Sequence, residues 1–171
     1  MKKFFAIVCM MLMSTAMFAQ AGKTGVGLNV GYGLFKDYKP FGVGAKLQYE
    51  FIDDVRAEVS GNYWFPKDDA ATLDVMLNLQ YLIEIAPGVN VYPMAGAGWV
   101  NMMLTGDTKD FAKAAGADTS KGAFGWDVGA GVEYYISSNV KLNLDVKYLY
   151  AKKDGWKIDG VPFQIGIVYN F

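Results

Sequence analysis

The sequence predicts an all-β protein: an eight-stranded antiparallel up-and-down β-barrel that crosses a membrane. Three observations predict it. Stretches of about eleven residues alternate apolar and polar side chains with period two. Eight such stretches follow one another, joined by tight and longer connections in strict alternation. On their apolar faces, aromatic rings sit toward the ends and aliphatic side chains in the middle.

The first stretch, Thr24 to Leu34, sets Val26, Leu28, Val30, Tyr32 and Leu34 against Asn29 and four glycines. In the second, Phe41 to Phe51, the apolar face is Phe41, Val43, Ala45, Leu47, Tyr49 and Phe51, opposite Lys46, Gln48 and Glu50. The third, Val55 to Phe65, opposes Val55, Ala57, Val59, Tyr63 and Phe65 to Arg56, Glu58, Ser60, Asn62 and Trp64. The fourth, Leu73 to Ile83, opposes Leu73, Val75, Leu77, Leu79, Tyr81 and Ile83 to Asp74, Met76, Asn78, Gln80 and Leu82. The fifth, Asn90 to about Met103, has no clean phase, so its faces stay unassigned. The sixth, Phe124 to Tyr135, places Asp127, Glu133 and glycines opposite Phe124, Trp126, Val128, Ala130, Val132 and Tyr134. The seventh, VKLNLDVKYLY from 140 to 150, alternates most plainly, with only Leu149 departing. The eighth, Val161 to Phe171, carries Phe163, Ile165, Ile167, Tyr169 and Phe171 on one face.

Tight turns are expected at Ile52-Asp53-Asp54, Ala86-Pro87-Gly88 and Ser137-Ser138-Asn139. The longer connections are KDYKP, PKDDAAT, LTGDTKDFAKAAGADTSKGA and KKDGWKIDG. All tight turns follow even stretches, so the longer loops share one end. Eleven residues at roughly 3.4 Å each, tilted about 40°, span roughly 28 Å, enough for an apolar band of about 25 Å.

The polar face is rich in glycine, which suits a lumen barely wide enough for side chains. Its charges are Lys46, Arg56, Lys141 and Lys147 against Glu50, Glu58, Asp74, Asp127, Glu133 and Asp145. Mixed signs at close quarters imply a paired network rather than a single-sign conduit. Turning the barrel inside out would put these ten charges in lipid. At roughly 2 kcal/mol each that costs about 20 kcal/mol, more than the 5 to 15 of typical net stability. Glu50 and Arg56 flank the first tight turn and read as an ordinary packing pair of a filled lumen, the alternative being a salt bridge that closes and gates that end.

The N-terminus reads as a cleaved signal peptide over 1–19: Met1-Lys2-Lys3, then a mostly apolar run of sixteen residues ending at Ala19, with small residues at Ala19 and Ala21 around Gln20. Cleavage is expected after Ala19 or after Ala21, leaving a barrel domain over 22–171. The sole cysteine, Cys9, lies inside the signal, and the chain has no histidine. Disulfides, thiol nucleophiles and histidine-based acid–base chemistry are therefore excluded from the mature chain. A net charge of −1 gives no reason to expect nucleic acid. Asp53-Asp54 and Asp68-Asp69 read as solvated turn charge. Asp107, Asp110 and Asp118 match no calcium-loop spacing. No cofactor or metal is expected.

The signal peptide, the eight alternating stretches and the closing Val168-Tyr169-Asn170-Phe171 together resemble small bacterial outer-membrane barrels of the OmpA/OmpX type. The resemblance implies a location in the bacterial outer membrane, with tight turns in the periplasm and longer loops at the cell surface. It implies that Tyr169 and Phe171 form a C-terminal assembly signal. The implied partners are outer-membrane lipids, the barrel assembly machinery and periplasmic chaperones. A monomer is expected, and so is the absence of a peptidoglycan-binding domain after Phe171. Outer-membrane barrel enzymes resemble one another in using an active-site histidine, so no enzymatic activity is expected here. The expected function is a non-enzymatic barrel with a filled polar lumen and a structural or surface-interaction role. Loops bearing Tyr38, Phe111 and Trp156 could meet an extracellular ligand. A narrow porin-like channel is the alternative, and a soluble lipocalin-type periplasmic carrier with its apolar face inward is the lesser one.

Overall fold

Alternating side chains drive nine strands into one closed wall. The computed structural model describes residues 23–36, 38–67, 70–106, 114, 119–153 and 156–171. The expected signal segment with its cleavage points, and Asp68, Asp69, Asp107, Asp110, Phe111 and Asp118, lie outside them. The strands are β1 (Lys23–Phe35), β2 (Phe41–Ile52), β3 (Val55–Lys67), β4 (Ala70–Tyr81), β5 (Ile83–Ala86), β6 (Val89–Leu104), β7 (Ser120–Tyr135), β8 (Val140–Lys153) and β9 (Trp156–Asn170). Apart from β4 and β5, neighbours along the chain pair antiparallel; β1 pairs with β9, and β4 pairs with β6 to close the barrel. β5 continues β4 past Leu82 without changing register on β6, since Gln80 faces Met94 and Ile83 faces Val91. The two form one stave, which makes an eight-stave, up-and-down barrel.

The stagger of the wall can be followed residue by residue. From Ile83 the cross-strand partners run Val91, Val132, Leu144, Ile165, Val30, Val43 and Tyr63, and return to the first stave at Leu73. The path climbs ten residues in one circuit, from 83 to 73. A stagger of this kind tilts strands by about 35–45° and leaves an interior that side chains can fill.

The apolar faces point outward. Leu28, Val30, Leu77, Ile165 and Ile167 are exposed at 48–66%. The lipocalin arrangement, with its apolar side inward, is therefore not the one the chain adopts. Aromatics ring the wall at two heights. Phe41, Phe65, Trp99, Phe124 and Trp126 stand toward the loop side; Phe51, Tyr81, Tyr134, Tyr169 and Phe171 stand toward the turn side. Along β7, eight residues separate Trp126 from Tyr134, roughly 21 Å along the axis at ~3.4 Å per residue and ~40° tilt.

Two expectations need correction. First, the strands run further into the loop side than the sequence suggests. Lys67 still pairs with Ala70, and Lys153 with Trp156. Most of PKDDAAT and KKDGWKIDG is therefore strand. Above the membrane level polar side chains no longer conflict with pairing, so alternation fades there while hydrogen bonding continues. Second, the fifth stretch has a regular phase after all. Tyr92, Met94 and Val100 point inward; Pro93, Ala95 and Trp99 point outward. Its two faces look alike in sequence because the inward one is apolar too.

Candidate functional site

The lumen gathers the chemistry of the chain. Nine of the ten expected charges are buried there; Glu50 is half-buried at the turn-side mouth. They form three tiers. At the turn side, Arg56 donates to Glu133 at 2.8 Å and to Gln80 at 2.6 Å, while Lys141 stands 3.2 Å from the same Glu133 carboxylate. In the middle, Lys46 donates to Asp145 at 2.7 Å and lies 3.6 Å from Glu58. Asp145 also accepts from Asn143 at 2.6 Å and from the Tyr92 hydroxyl at 2.5 Å. Toward the loops, Lys147 pairs with Asp127 at 3.2 Å, and Asp74 accepts from Asn62 at 2.7 Å and from the Trp64 indole at 2.6 Å.

Glu50 and Arg56 are direct register partners, as their place around the turn suggests. The guanidinium, however, lies 3.8 Å from Glu50 and only 2.8 Å from Glu133. A long side chain on the inner wall reaches across the lumen more readily than it folds against its neighbour. Lys23 approaches Glu50 from outside at 3.8 Å. The turn end is thus held by a cluster spanning β2, β3, β7 and β8. Buried carboxylates with two or three donors are what makes such charge tolerable away from water.

The neutral members were legible only in part. Gln48, Asn62, Gln80 and Asn143 share the phase of the charges and bind them, as does Tyr92 from the unassigned strand. Gly131 shows why the lumen is glycine-rich. A Cβ there would come within 2.5 Å of the Tyr92 ring and of the Asp145 carboxylate.

Above the charges the lumen changes character. Phe35, Tyr38, Trp64, Met76, Val100, Ala123, Leu149, Ala151 and Ile158 form one buried cluster at the loop-side mouth. Leu149 therefore keeps the inward phase of Lys141 to Lys147 and enters this plug. Phe35 stacks on Tyr38 at 5.2 Å and meets Trp64 edge-on at 5.5 Å. The Tyr38 hydroxyl hydrogen-bonds the Thr72 hydroxyl and so ties the β1–β2 connection into the mouth. The reason is a change of outer solvent. Strand ends that stand in water need an apolar interior, as any soluble barrel does.

Burial pushes the Tyr38 phenol up to about 12 from its ordinary 10. A raised folded-state value means the docked ring stabilises the connection fully below pH 10. That contribution is lost as the pH rises toward 12. A ¹³C titration of the Tyr38 Cζ is expected to show this high midpoint; a midpoint near 10 would mean an undocked ring.

Residues 5–171 match the outer membrane protein beta-barrel domain family. The chain belongs to that family. No curated protein matches it. Among solved structures, this outer-membrane barrel is similar to Neisserial surface protein A, with a TM-score of 0.69 and 18% identity over 88% of this chain and 97% of that one. It is similar to Ail of Yersinia pestis, solved with the heparin analogue sucrose octasulfate, with a TM-score of 0.59 and 20% identity over 88% and 99% of the two chains. It is similar too to the N-terminal barrel of Pseudomonas aeruginosa OprF, with a TM-score of 0.58 and 18% identity over 88% and 99%. Identities this low establish the fold alone. In the outer-membrane barrel apolar side chains point outward and nine of the ten charges lie buried inside.

Proposed function

We propose that the protein is a closed, non-enzymatic barrel of the bacterial outer membrane, with a structural and surface-interaction role. The observation that carries this reading is the filled lumen, in which cross-barrel ion pairs are capped by an apolar plug. A water-filled path would have to break both. On this reading tight turns face the periplasm, Tyr169 and Phe171 serve recognition by the assembly machinery, and the protein works as a monomer. The loop side would then carry the surface role. Lys152 and Lys157 are register partners there, and although Asp159 holds Lys157 at 2.9 Å, the paired lysines leave a net positive rim that favours an anionic partner. That Ail was solved with a sulfated sugar is in keeping with such a role for this rim.

Liposome swelling with small sugars tests the closed lumen against the narrow channel. The reconstituted protein is expected to swell liposomes no faster than empty controls, and rapid swelling would establish the porin. In planar bilayers, Glu50→Ala is expected to leave conductance unchanged, because Arg56 keeps Glu133. A stepwise rise would restore Glu50 as the gate.

A further inference from the structure

We infer that the turn side carries a docking edge for a second polypeptide, which binds as an added, cation-bearing β-strand along β5. The inference rests on the reading that this side faces the periplasm, and its occupant is an extended segment of a periplasmic protein.

The observation is an open sheet edge. Among the described residues β5 has a strand on one side only, β6. On the other side β3 ends too early, because Val55 already pairs with Tyr81. The last rung is the Leu82 N–H donating to the Asp54 carbonyl at 2.7 Å. Backbone groups alternate in direction along a strand, so Glu84, two residues on, presents its N–H and C=O to that same open side. All four residues of β5 are exposed, with Ile85 at 60%. An unpaired edge cannot lie in hydrocarbon. Consistent with this, Ala86 is opposite Val89, which is opposite Tyr134 of the turn-side girdle. The edge therefore stands at the water interface, where exposed edges recruit strands.

A cleft of about 420 Å³ lies beside the edge, lined among others by Ile52, Asp53, Asp54, Leu82, Glu84 and Asn90. Leu82 is buried, 7% exposed, and gives it an apolar floor. The charges choose the occupant. Asp53, Asp54 and Glu84 would repel the same acidic edge of a second copy. Lys23 and Glu50 also line the cleft but answer each other at 3.8 Å, so the three acidic groups attract a strand bearing lysine or arginine. Alternation on the incoming strand would send its cations to the face that Leu82 and Glu84 share and its apolar side chains outward beside Ile83 and Ile85.

The test uses the full barrel in nanodiscs and a fluorescein-labelled ten-residue peptide of alternating lysine and valine. Binding is expected, with protection of the Glu84 amide from exchange. Glu84→Pro removes the open-side N–H without touching the β6 ladder, and is expected to weaken binding at least tenfold. Glu84→Gln keeps that N–H and is expected to weaken binding only a few-fold. N-methylating every second residue of the peptide, in either phase, keeps its charge and is expected to weaken binding to the wild-type barrel at least tenfold in the phase that faces the edge. That arm decides the matter even if Glu84→Pro fails to fold. Equal binding by the N-methylated peptides, equal binding by empty nanodiscs, or no binding at all would each overturn the proposal. None of these readouts depends on whether the lumen conducts, so the closed-barrel reading fails or stands separately.

Discussion

Glu133→Gln is expected to cost about 3–5 kcal/mol of folding stability, the range seen when one partner of a buried ion pair is removed. Glu133 is fully buried and serves two cations, Arg56 at 2.8 Å and Lys141 at 3.2 Å, with Asn90 donating to its second oxygen at 3.1 Å. The glutamine keeps the shape and one acceptor but leaves two positive groups facing each other, with only the half-buried Glu50, 3.8 Å from Arg56, as a counter-charge. Arg56 cannot shed its proton, and its side chain is packed over Tyr92 at 5.0 Å, so it has nowhere to go. Urea titration of the folded barrel in lipid vesicles measures the loss. Adding Arg56→Met to Glu133→Gln is expected to recover part of it, since the pair is then removed together. A loss below about 1 kcal/mol would mean that Glu133 is solvated and the tier is not sealed.

Ile165→Arg is expected to destabilise the inserted barrel by about 2–4 kcal/mol, the cost of a cation at the bilayer midplane. Ile165 is 60% exposed on the outer wall, between Val30 of β1 and Leu144 of β8. It lies between Phe163 and Tyr169 of its own strand, well inside both aromatic rings. The same exchange nearer the loops, Val161→Arg, should cost no more than about 1 kcal/mol, because the side chain reaches the interface. Equilibrium folding into vesicles compares the two. Equal costs at both positions would mean that this face does not see hydrocarbon, and the reading of the wall would fall with it.

How far the sequence carried the fold follows from what sets the alternation. Between the girdles each strand has lipid on one side and charge on the other. Lys141, Asn143, Asp145 and Lys147 therefore declare the phase of β8 without ambiguity. Where the outer solvent turns to water the signal reverses or fades. Leu149 looks like an error in the pattern yet is the first layer of the plug. The phase of β6 was hidden for a related reason, as Tyr92 and Met94 face inward among charges and look lipid-facing in a one-dimensional reading. The ten charges were legible as a set but their partners were not. Arg56 meets Glu133 across 77 positions of sequence, and only closure and stagger of the wall bring them together. Phe35 gave no sign, and Tyr38, which the sequence offered as a loop contact for an extracellular ligand, is instead buried in the plug, because folding back a short connection leaves no periodic mark.

The plug separates two evolutionary fates within one chain. Among the described residues, the strand ends beyond Phe35, Trp64 and Leu149 rest on a self-contained apolar layer and not on the ion pairs beneath it. On the proposed reading of a closed barrel, changes in the outermost segments would leave the ion-paired lumen below to its own chemistry. An engineer would find the same division convenient: cargo grafted above that layer should leave the membrane as tight as before.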